Sequence, residues 1–329
     1  MKARMQLMQI TRPKSLRRGD TISVIAPAGP VVRERLEKAF AFLTSRGYRI
    51  KTHGDVFRKT GYLAGDDSTR AGELMAAFAD PESRAVWCAR GGYGVARLLG
   101  RLDYDLIQRH PKVFVGFSDI TGLHLAFQNR ASLVTFHGPN LQDGFGAAEP
   151  MSETTEAALW RTIAPDGELD TGMQLATYAE DGVADVRLRA IVPGIANGRL
   201  TGGNLSVLAG LIGTPYDVET EGRILFLEDV NEPVYRVDRY LAQLSLAGKL
   251  RAAAGVLLGS FNFDEGEPSE SADAMNAILN EYFGQLEVPV LAGLPAGHQK
   301  ENWALPISGL VEVNANARRV TLVENPVVG

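Results

Sequence analysis

The chain has 329 residues, 45% of them hydrophobic and 22% charged, which is enough for two globular domains with ordinary cores. The formal net charge of −5 excludes a general attraction for nucleic acid or for an anionic membrane surface. A single cysteine, Cys88, excludes an intrachain disulfide, and its apolar surroundings favour an inert buried thiol. The basic N-terminal stretch lacks the apolar core of a signal peptide, and no membrane-length apolar run follows, so we expect a cytoplasmic protein.

Short apolar runs alternate with amphipathic stretches in the first half of the chain. Strands that alternate with helices are typical of a mostly parallel sheet, whose ligands bind beyond the carboxyl ends of the strands. Gly47 is expected to end the first helix, and Ser68 or Asp67 to cap the second. The predicted strands are 21–26, 48–51, 86–89 and 113–117, and the predicted helical stretches are 32–46, 68–79, 95–99 and 120–129.

A less regular stretch, residues 143–198, separates this half from a second α/β region. We therefore expect an N-terminal domain over 1–150 that carries the candidate nucleophile, a linker region over 151–195 and a C-terminal domain over 196–329. In the last of these the predicted strands are 223–227, 254–259 and 288–291, and the predicted helices are 235–247 and 272–283.

A serine follows the fourth predicted strand, in the segment Gly116-Phe117-Ser118-Asp119-Ile120. A turn from strand to helix exposes a hydroxyl at the edge of the sheet, and the N–H of Asp119 lies at a helix start, which favours an oxyanion. The segment departs from the G-x-S-x-G nucleophile elbow, because Ile120 replaces the second glycine. The alternative, which the local sequence alone favours, is that Ser118 or Asp119 simply caps the helix.

The segment Arg90-Gly91-Gly92-Tyr93-Gly94, hereafter the glycine loop, also lies between a predicted strand and a helical stretch. Its glycines let backbone N–H groups approach a ligand, so it could bind phosphate or supply a second oxyanion donor. The third alternative is a tight turn. The loop matches neither the phosphate-binding nor the dinucleotide-binding fingerprint, so we expect no nucleotide cofactor.

An acid and a histidine in the second half suit a catalytic pair. Glu228 stands at the end of a strong predicted strand, and Asp229 beside it points to the opposite face. The alternative for Glu228 is a charged strand end at the surface. His298 lies in a loop punctuated by glycine and proline, where an imidazole can be mobile. No two histidines have metal-ligand spacing, so we expect no metal site.

The other four histidines fit less well. His53 and His110 lie in polar surroundings and are predicted at the surface. His124 is predicted on a different face of its helix from Ser118. His137, at a strand end, could lie near the site, but the favoured interpretation is a structural histidine with its hydrogen bonds satisfied.

Taken in order, these segments resemble the LD-carboxypeptidases, the serine peptidases of family S66. The resemblance covers nearly the whole chain, and its order and spacing are more specific than any one segment. The segments that carry it are Asp20–Pro30, Tyr62–Asp66, Arg90–Gly94, Gly116–Asp119, Thr201–Leu205, Leu227–Asp229 and Gly297-His298.

The resemblance implies a flavodoxin-like N-terminal domain with a mostly parallel sheet, followed by a β-rich α/β domain. It makes Ser118 the nucleophile, His298 the general base and acid, and Glu228 the residue that orients the histidine. The N–H groups of Asp119 and Gly92 would form the oxyanion hole. It also implies a homodimer without a cofactor.

The substrate that the resemblance implies is a small peptide, the murein tetrapeptide, cut before its terminal D-alanine. A carboxypeptidase must hold a terminal carboxylate, for which Arg90, Arg236 and Lys300 are candidates. One alternative is an immunity-type hydrolase of microcin C-like aminoacyl nucleotides. Another is a two-domain protein that binds a small ligand without catalysis. An NAD- or flavin-binding enzyme is a third, although no fingerprint supports it.

Overall fold

Two β-sheets and the helices that cover them make up the fold. The computed structural model describes residues 10–165, 174–177, 188–262 and 269–329. None of the helices in these ranges combines the length with the hydropathy that a membrane span requires. The strands are β1 (Thr21–Ile25), β2 (Arg49–Thr52), β3 (Ser83–Cys88), β4 (Val113–Gly116), β5 (Thr135–His137), β6 (Gln174–Thr177), β7 (Arg189–Val192), β8 (Ile195–Asn204), β9 (Ile224–Val230), β10 (Gly255–Asn262), β11 (Val290–Ala292), β12 (Leu305–Ile307), β13 (Leu310–Asn314) and β14 (Arg319–Leu322). The α-helices are α1 (Arg33–Ser45), α2 (Asp67–Ala79), α3 (Tyr104–Arg109), α4 (Thr121–Ala131), α5 (Glu153–Ile163), α6 (Leu205–Ala209), α7 (Val234–Leu246), α8 (Lys249–Ala252) and α9 (Ser269–Phe283).

The first sheet has the strand order β12-β5-β4-β3-β1-β2. Its five strands from the first half of the chain run parallel, with Thr21 of β1 opposite Arg49 of β2 and Ala85 of β3 opposite Val113 of β4. Parallel strands need crossover connections, which α1 to α4 supply. The remaining strand, β12, comes from the far end of the chain and pairs antiparallel with β5. The mostly parallel sheet predicted for this half is confirmed.

The second sheet has the strand order β6-β14-β13-β8-β9-β10-β11-β7. Strands β8 to β11 run parallel in its centre, and antiparallel strands extend it on both sides. The predicted β-rich second α/β part is therefore confirmed. Strands β6, β7, β12, β13 and β14 were not predicted, because at three to five residues each they are too short to show a clear period. The ten-residue β8 was missed as well, because its three glycines interrupt the alternation of apolar and polar residues.

One hydrophobic cluster joins the two halves. Ile120 and Leu123, at the start of α4, belong to the same buried cluster as Leu205 of α6 and Leu227 of β9. Burial of apolar surface is the main stabilising contribution to folding, so this cluster holds the turn after β4 against the second sheet. Helices α1 and α5 cover the opposite face of the first sheet with a separate cluster.

Two local predictions are wrong. The helical stretch expected up to Leu99 consists of two single 3₁₀ turns, Val95–Arg97 and Leu99–Arg101. The cap of α2 is Asp66 rather than Asp67 or Ser68, because Asp66 has the extended backbone of a cap and its carboxylate accepts a 2.8 Å hydrogen bond from the N–H of Thr69.

The predicted linker region, 151–195, contains α5, β6 and β7. The hydroxyl of Ser152 caps α5 by accepting a 3.1 Å hydrogen bond from the N–H of Thr155. Leu159 and Ile163 of α5 are buried in the cluster on the first sheet. Helix α5 is therefore packed on the N-terminal half, and the proposed boundaries at 150 and 195 stay a prediction.

Replacing Gly202 by alanine should destabilise the protein by about 2–6 kcal/mol. Gly202 has a φ of 110°, and a Cβ atom there would overlap the carbonyl oxygen of Phe226 in the neighbouring strand β9. Chemical denaturation measures the loss. Gly213→Ala is the matched control, because its φ of 82° is also positive but no atom lies within 4 Å. It should cost only about 1–2 kcal/mol, and equal losses in both variants would refute the close contact.

Candidate active site

Ser118 occupies a strained turn between β4 and α4. Its φ is 67°, a left-handed conformation that costs an L-residue about 1–2 kcal/mol. Strain of this kind is typical of the turn that presents a nucleophile at the top of a sheet. The side chain is half-buried, and its Oγ makes no hydrogen bond with the parts of the chain that the structure describes.

The glycine loop lies directly against this serine. A Cβ atom on Gly91 would lie 2.8 Å from Ser118 Cβ and 3.1 Å from its Oγ, so only glycine fits there. The next residue, Gly92, is exposed with a φ of 106°, and its N–H donates to no acceptor in the described residues. This loop therefore has a free backbone donor close to the candidate nucleophile.

Asp119 links the two loops. Its buried Oδ2 accepts a 2.9 Å hydrogen bond from the N–H of Val95, at the 3₁₀ turn that follows the glycine loop. Burial raises the pKa of Asp119 to about 6. Neither Ser118 nor Asp119 caps α4, so the capping alternative is wrong.

Glu228 and His298 form a hydrogen-bonded pair. His298 Nδ1 lies 2.7 Å from Glu228 Oε2, and the His298 backbone N–H donates to the same oxygen at 3.2 Å. Gly297 makes this approach possible, because its φ is 106° and a Cβ atom there would lie 2.6 Å from Glu228 Oε2. Glu228 is fully buried, so the alternative of a surface strand end is wrong.

The charge of Glu228 changes the acid–base behaviour of His298. Burial alone would lower the pKa of the imidazole, but the hydrogen bond and the negative charge of Glu228 outweigh it, and the pKa is raised above 6.5. Since a carboxylate accepts from Nδ1–H, the neutral imidazole keeps its lone pair on Nε2.

Asp229 faces the other side of β9, as predicted. Its Oδ1 accepts from Asn204 Nδ2 at 2.9 Å and its Oδ2 from the N–H of Ser206 at 2.8 Å. The N–H of Asn204 in turn donates to Thr121 Oγ1 at 2.9 Å, on α4. Asp229 therefore braces the junction between the two halves next to the candidate site.

The Ser118 and His298 segments meet through an aromatic ring. Phe117, the residue before Ser118, has its ring centroid 4.7 Å from that of His298. The structure records no hydrogen bond between Ser118 Oγ and the imidazole. Glu228 and His298 are therefore in direct contact. Ser118 follows Phe117 in the chain, and it is the Phe117 ring that packs on His298.

A cavity of about 420 Å³ opens beside the imidazole. Its wall carries charges of both signs from Asp143, Glu149 and Lys300, next to His298. Of the three predicted clamp residues, Lys300 lines this cavity. Arg90 instead donates to the carbonyl oxygen of Pro30 at 2.6 Å, and Arg236 approaches Glu232 at 3.5 Å. The cavity can therefore receive a peptide end that carries charge.

Glu301 anchors the loop that carries His298, a role that the sequence analysis missed. Its Oε2 accepts hydrogen bonds from the hydroxyls of Ser152, Thr154 and Thr155 at 2.6–2.9 Å. These residues lie at the start of α5, which is packed on the first sheet. No local sequence signal marks this contact, because the partners are nearly 150 residues apart.

Two other histidines are buried close to the strand and turn that carry Ser118. His124 Nε2 donates to the carbonyl oxygen of Gly116 at 2.8 Å, and burial lowers its pKa to about 4. His137 is fully buried with its ring 5.9 Å from that of Phe117, and burial lowers its pKa too. Neither of its ring nitrogens has a hydrogen-bond partner among the described residues, so the expectation of satisfied hydrogen bonds there is wrong. His53, predicted at the surface, is mostly buried, because Ser23 Oγ lies 2.7 Å from its Nε2.

Comparison with known proteins identifies one family. The LD-carboxypeptidase N-terminal domain of peptidase family S66 matches residues 22–138, and the C-terminal domain matches residues 197–313. A probable murein peptide carboxypeptidase of Bacillus subtilis is 37% identical over 95% of this chain and 94% of that protein. The murein tetrapeptide carboxypeptidase of Pseudomonas aeruginosa is 33% identical over 91% of this chain and 94% of that protein.

Solved structures show the same architecture. The muramoyltetrapeptide carboxypeptidase of Oxalobacter formigenes has a TM-score of 0.77 at 32% identity, covering 92% of this chain and 97% of that chain. The microcin C7 self-immunity protein MccF has a TM-score of 0.86 at 23% identity, covering 96% and 99%, which shows likeness of fold. The fold and these relatives define the class, a serine-type carboxypeptidase. The chain belongs to the LD-carboxypeptidases of peptidase family S66.

Proposed function

We propose that this protein removes the terminal D-alanine from murein tetrapeptides through a triad of Ser118, His298 and Glu228. The observation that carries the proposal is the 2.7 Å contact between His298 Nδ1 and Glu228 Oε2. The His298 ring packs on Phe117, the residue before the strained Ser118, whose hydroxyl makes no hydrogen bond within the described residues. A buried carboxylate that orients an imidazole beside a nucleophile is the recurring arrangement of serine hydrolases.

In the first step Ser118 Oγ attacks the carbonyl carbon of the residue before D-alanine, and its proton passes to His298 Nε2. The N–H groups of Gly92 and Asp119 would stabilise the oxyanion of the tetrahedral intermediate. The C–N bond then breaks, and the proton on Nε2 moves to the amine of the leaving D-alanine. The shortened peptide remains attached to Ser118 as an ester.

In the second step water hydrolyses this ester. His298 Nε2 takes a proton from the water as the water oxygen attacks the ester carbonyl, and gives it to Ser118 Oγ as the acyl group leaves. Glu228 stabilises the imidazolium that forms in both steps. Its effect on the pKa of His298 supports this role. Lys300, at the cavity wall, is the candidate to hold the carboxylate of D-alanine.

The relatives support a murein peptide as substrate. Two proteins named murein peptide or murein tetrapeptide carboxypeptidase are 37% and 33% identical to this chain over nearly its whole length. The second candidate is hydrolysis of a microcin C-type aminoacyl nucleotide. It is favoured by the likeness of fold to the microcin C7 self-immunity protein, at a lower identity of 23%.

A substrate panel tests the proposal. The purified protein is incubated with a murein tetrapeptide or with an aspartyl sulfamoyl adenosine, and the released D-alanine or aspartate is measured. We expect D-alanine release at the higher kcat/KM. Preferential cleavage of the sulfamoyl adenosine would establish the second candidate, and failure to cleave either compound would contradict both.

A further inference from the structure

A buried guanidinium lies beneath the glycine loop. The side chain of Arg70, in α2, has no solvent exposure. Its Nε donates to the carbonyl oxygen of Gly65 at 3.1 Å, and its Nη1 donates to those of Pro27 and Gly94, the latter at 3.1 Å. Its Nη2 donates to Asp67 Oδ1 at 2.6 Å. The Asp67 carboxylate, which Arg97 Nε also approaches at 3.0 Å, is the charged partner of Arg70, while carbonyl groups from three separate loops converge on one side chain.

Backbone hydrogen bonds also join these three loops to one another. The N–H of Ala64 donates to the carbonyl oxygen of Ala28 at 2.9 Å, which connects the Gly65 loop to the Pro27 loop. The N–H of Gly29 donates to the carbonyl oxygen of Gly91 at 2.9 Å, which connects the Pro27 loop to the glycine loop. A shift of the guanidinium would therefore be transmitted to the whole group.

The path from Arg70 to the candidate nucleophile is short. Gly94 lies directly on the guanidinium, since a Cβ atom there would be 2.7 Å from Arg70 Nη1. Gly91, at the other end of the same short loop, is the residue whose Cβ would be 2.8 Å from Ser118 Cβ. Gly92 lies between them. The position of its N–H relative to Ser118 therefore depends on where Gly94 is held.

We propose that Arg70 is a positioning residue, whose guanidinium holds the glycine loop so that the Gly92 N–H faces the oxyanion formed beside Ser118. This inference rests on the function proposed above. The planar guanidinium presents five N–H donors in a rigid fork. Here it makes four hydrogen bonds, three to carbonyl groups of different loops and one to the Asp67 carboxylate. A lysine ammonium at the end of a flexible stem cannot reproduce this fork.

Arg70→Lys keeps the charge and removes the fork. We expect kcat for a murein tetrapeptide to fall about 100-fold, the effect of moving a group at the reaction centre by about 1 Å. KM should change by less than about threefold, because ground-state binding is retained. The rate at which a fluorophosphonate labels Ser118 should fall in parallel, since phosphonylation also places negative charge in the oxyanion hole.

The pH profile separates this role from general damage to the site. Its acid limb reports the ionisation of His298, which Arg70 does not contact, so the limb should stay in place. The matched control is Arg199→Lys. Arg199 also donates to a carbonyl group, that of Ser308 at 2.8 Å, and to a carboxylate, that of Glu324 at 2.5 Å, but in the second sheet. It should retain wild-type kcat and labelling.

Circular dichroism and thermal unfolding show whether Arg70→Lys folds. If it does not fold, a second variant tests the same role. Asp67→Asn leaves the guanidinium in place and removes its charged partner, and kcat and labelling should each fall about tenfold. A folded variant of either kind with wild-type kcat and labelling overturns the proposal, and so does a loss confined to KM. If wild-type protein is labelled but releases no D-alanine, the proposed substrate is wrong, and the labelling rates alone decide the role of Arg70.

Discussion

Ser118→Ala is expected to lower kcat for a murein tetrapeptide by about 10⁴ to 10⁶-fold. The hydroxyl is the only group removed, and without it no acyl-enzyme can form. Release of D-alanine by the purified variant is the measurement. Stability should be nearly unchanged, because Ser118 Oγ makes no hydrogen bond within the described parts of the chain. Fluorophosphonate labelling should disappear along with turnover.

The matched control for this variant is Ser132→Ala. Ser132 also has a positive φ, of 51°, and ends α4 on the far side from the glycine loop. It should keep wild-type turnover and labelling. Wild-type turnover in Ser118→Ala would refute the triad as a whole. Labelling that persists in Ser118→Ala would instead show that another residue is the activated nucleophile.

Glu228→Gln is expected to lower kcat about 10²–10⁴-fold and to move the acid limb of kcat/KM to lower pH. The base acts only when His298 is neutral, so activity rises as pH passes upward through its pKa. Glu228 raises that pKa above 6.5 in the wild type, because its hydrogen bond and charge favour the imidazolium. The amide removes the charge, so the pKa falls while the imidazolium formed in the reaction loses its stabilisation.

Measurement of kcat/KM from pH 5 to 9 in the wild type and in Glu228→Gln shows in which direction the acid limb moves. Asp229→Asn is the control, since it removes a neighbouring buried carboxylate that bonds to Asn204 and Ser206 rather than to His298. Asp229→Asn should move the acid limb slightly to lower pH, because the Asp229 charge also raises the pKa of His298, but the plateau value of kcat/KM should stay at the wild-type level. A limb that moves to higher pH in Glu228→Gln would contradict the assigned role.

Much of the fold was predictable from local patterns. Alternating apolar runs and amphipathic stretches predicted the parallel first sheet and three of its four crossover helices, α1, α2 and α4, because burial on one face imposes that period on the sequence. The six-residue helix α3 was missed. The opposite orientation of Glu228 and Asp229 followed from the twofold period of a strand. Errors came where segments are short, as in the 3₁₀ turns after the glycine loop and in strands β12 to β14. They also came in two longer elements, the eleven-residue helix α5 in the stretch interpreted as a linker and the ten-residue strand β8, whose three glycines break the alternation of a strand.

The sequence by itself determined which residue types stand at the ends of strands, and therefore which could act as nucleophile, base and acid. It did not determine that they meet. The contact of His298 with Glu228 spans 70 residues, that of Glu301 with Ser152 spans 149, and both depend on how separate elements pack. Arg70 gave no signal either, because its partners are backbone carbonyls, which every residue carries. The period of apolar residues in a segment indicates which of its faces is buried. Contacts between residues far apart in the chain form only when the two sheets pack around a common core.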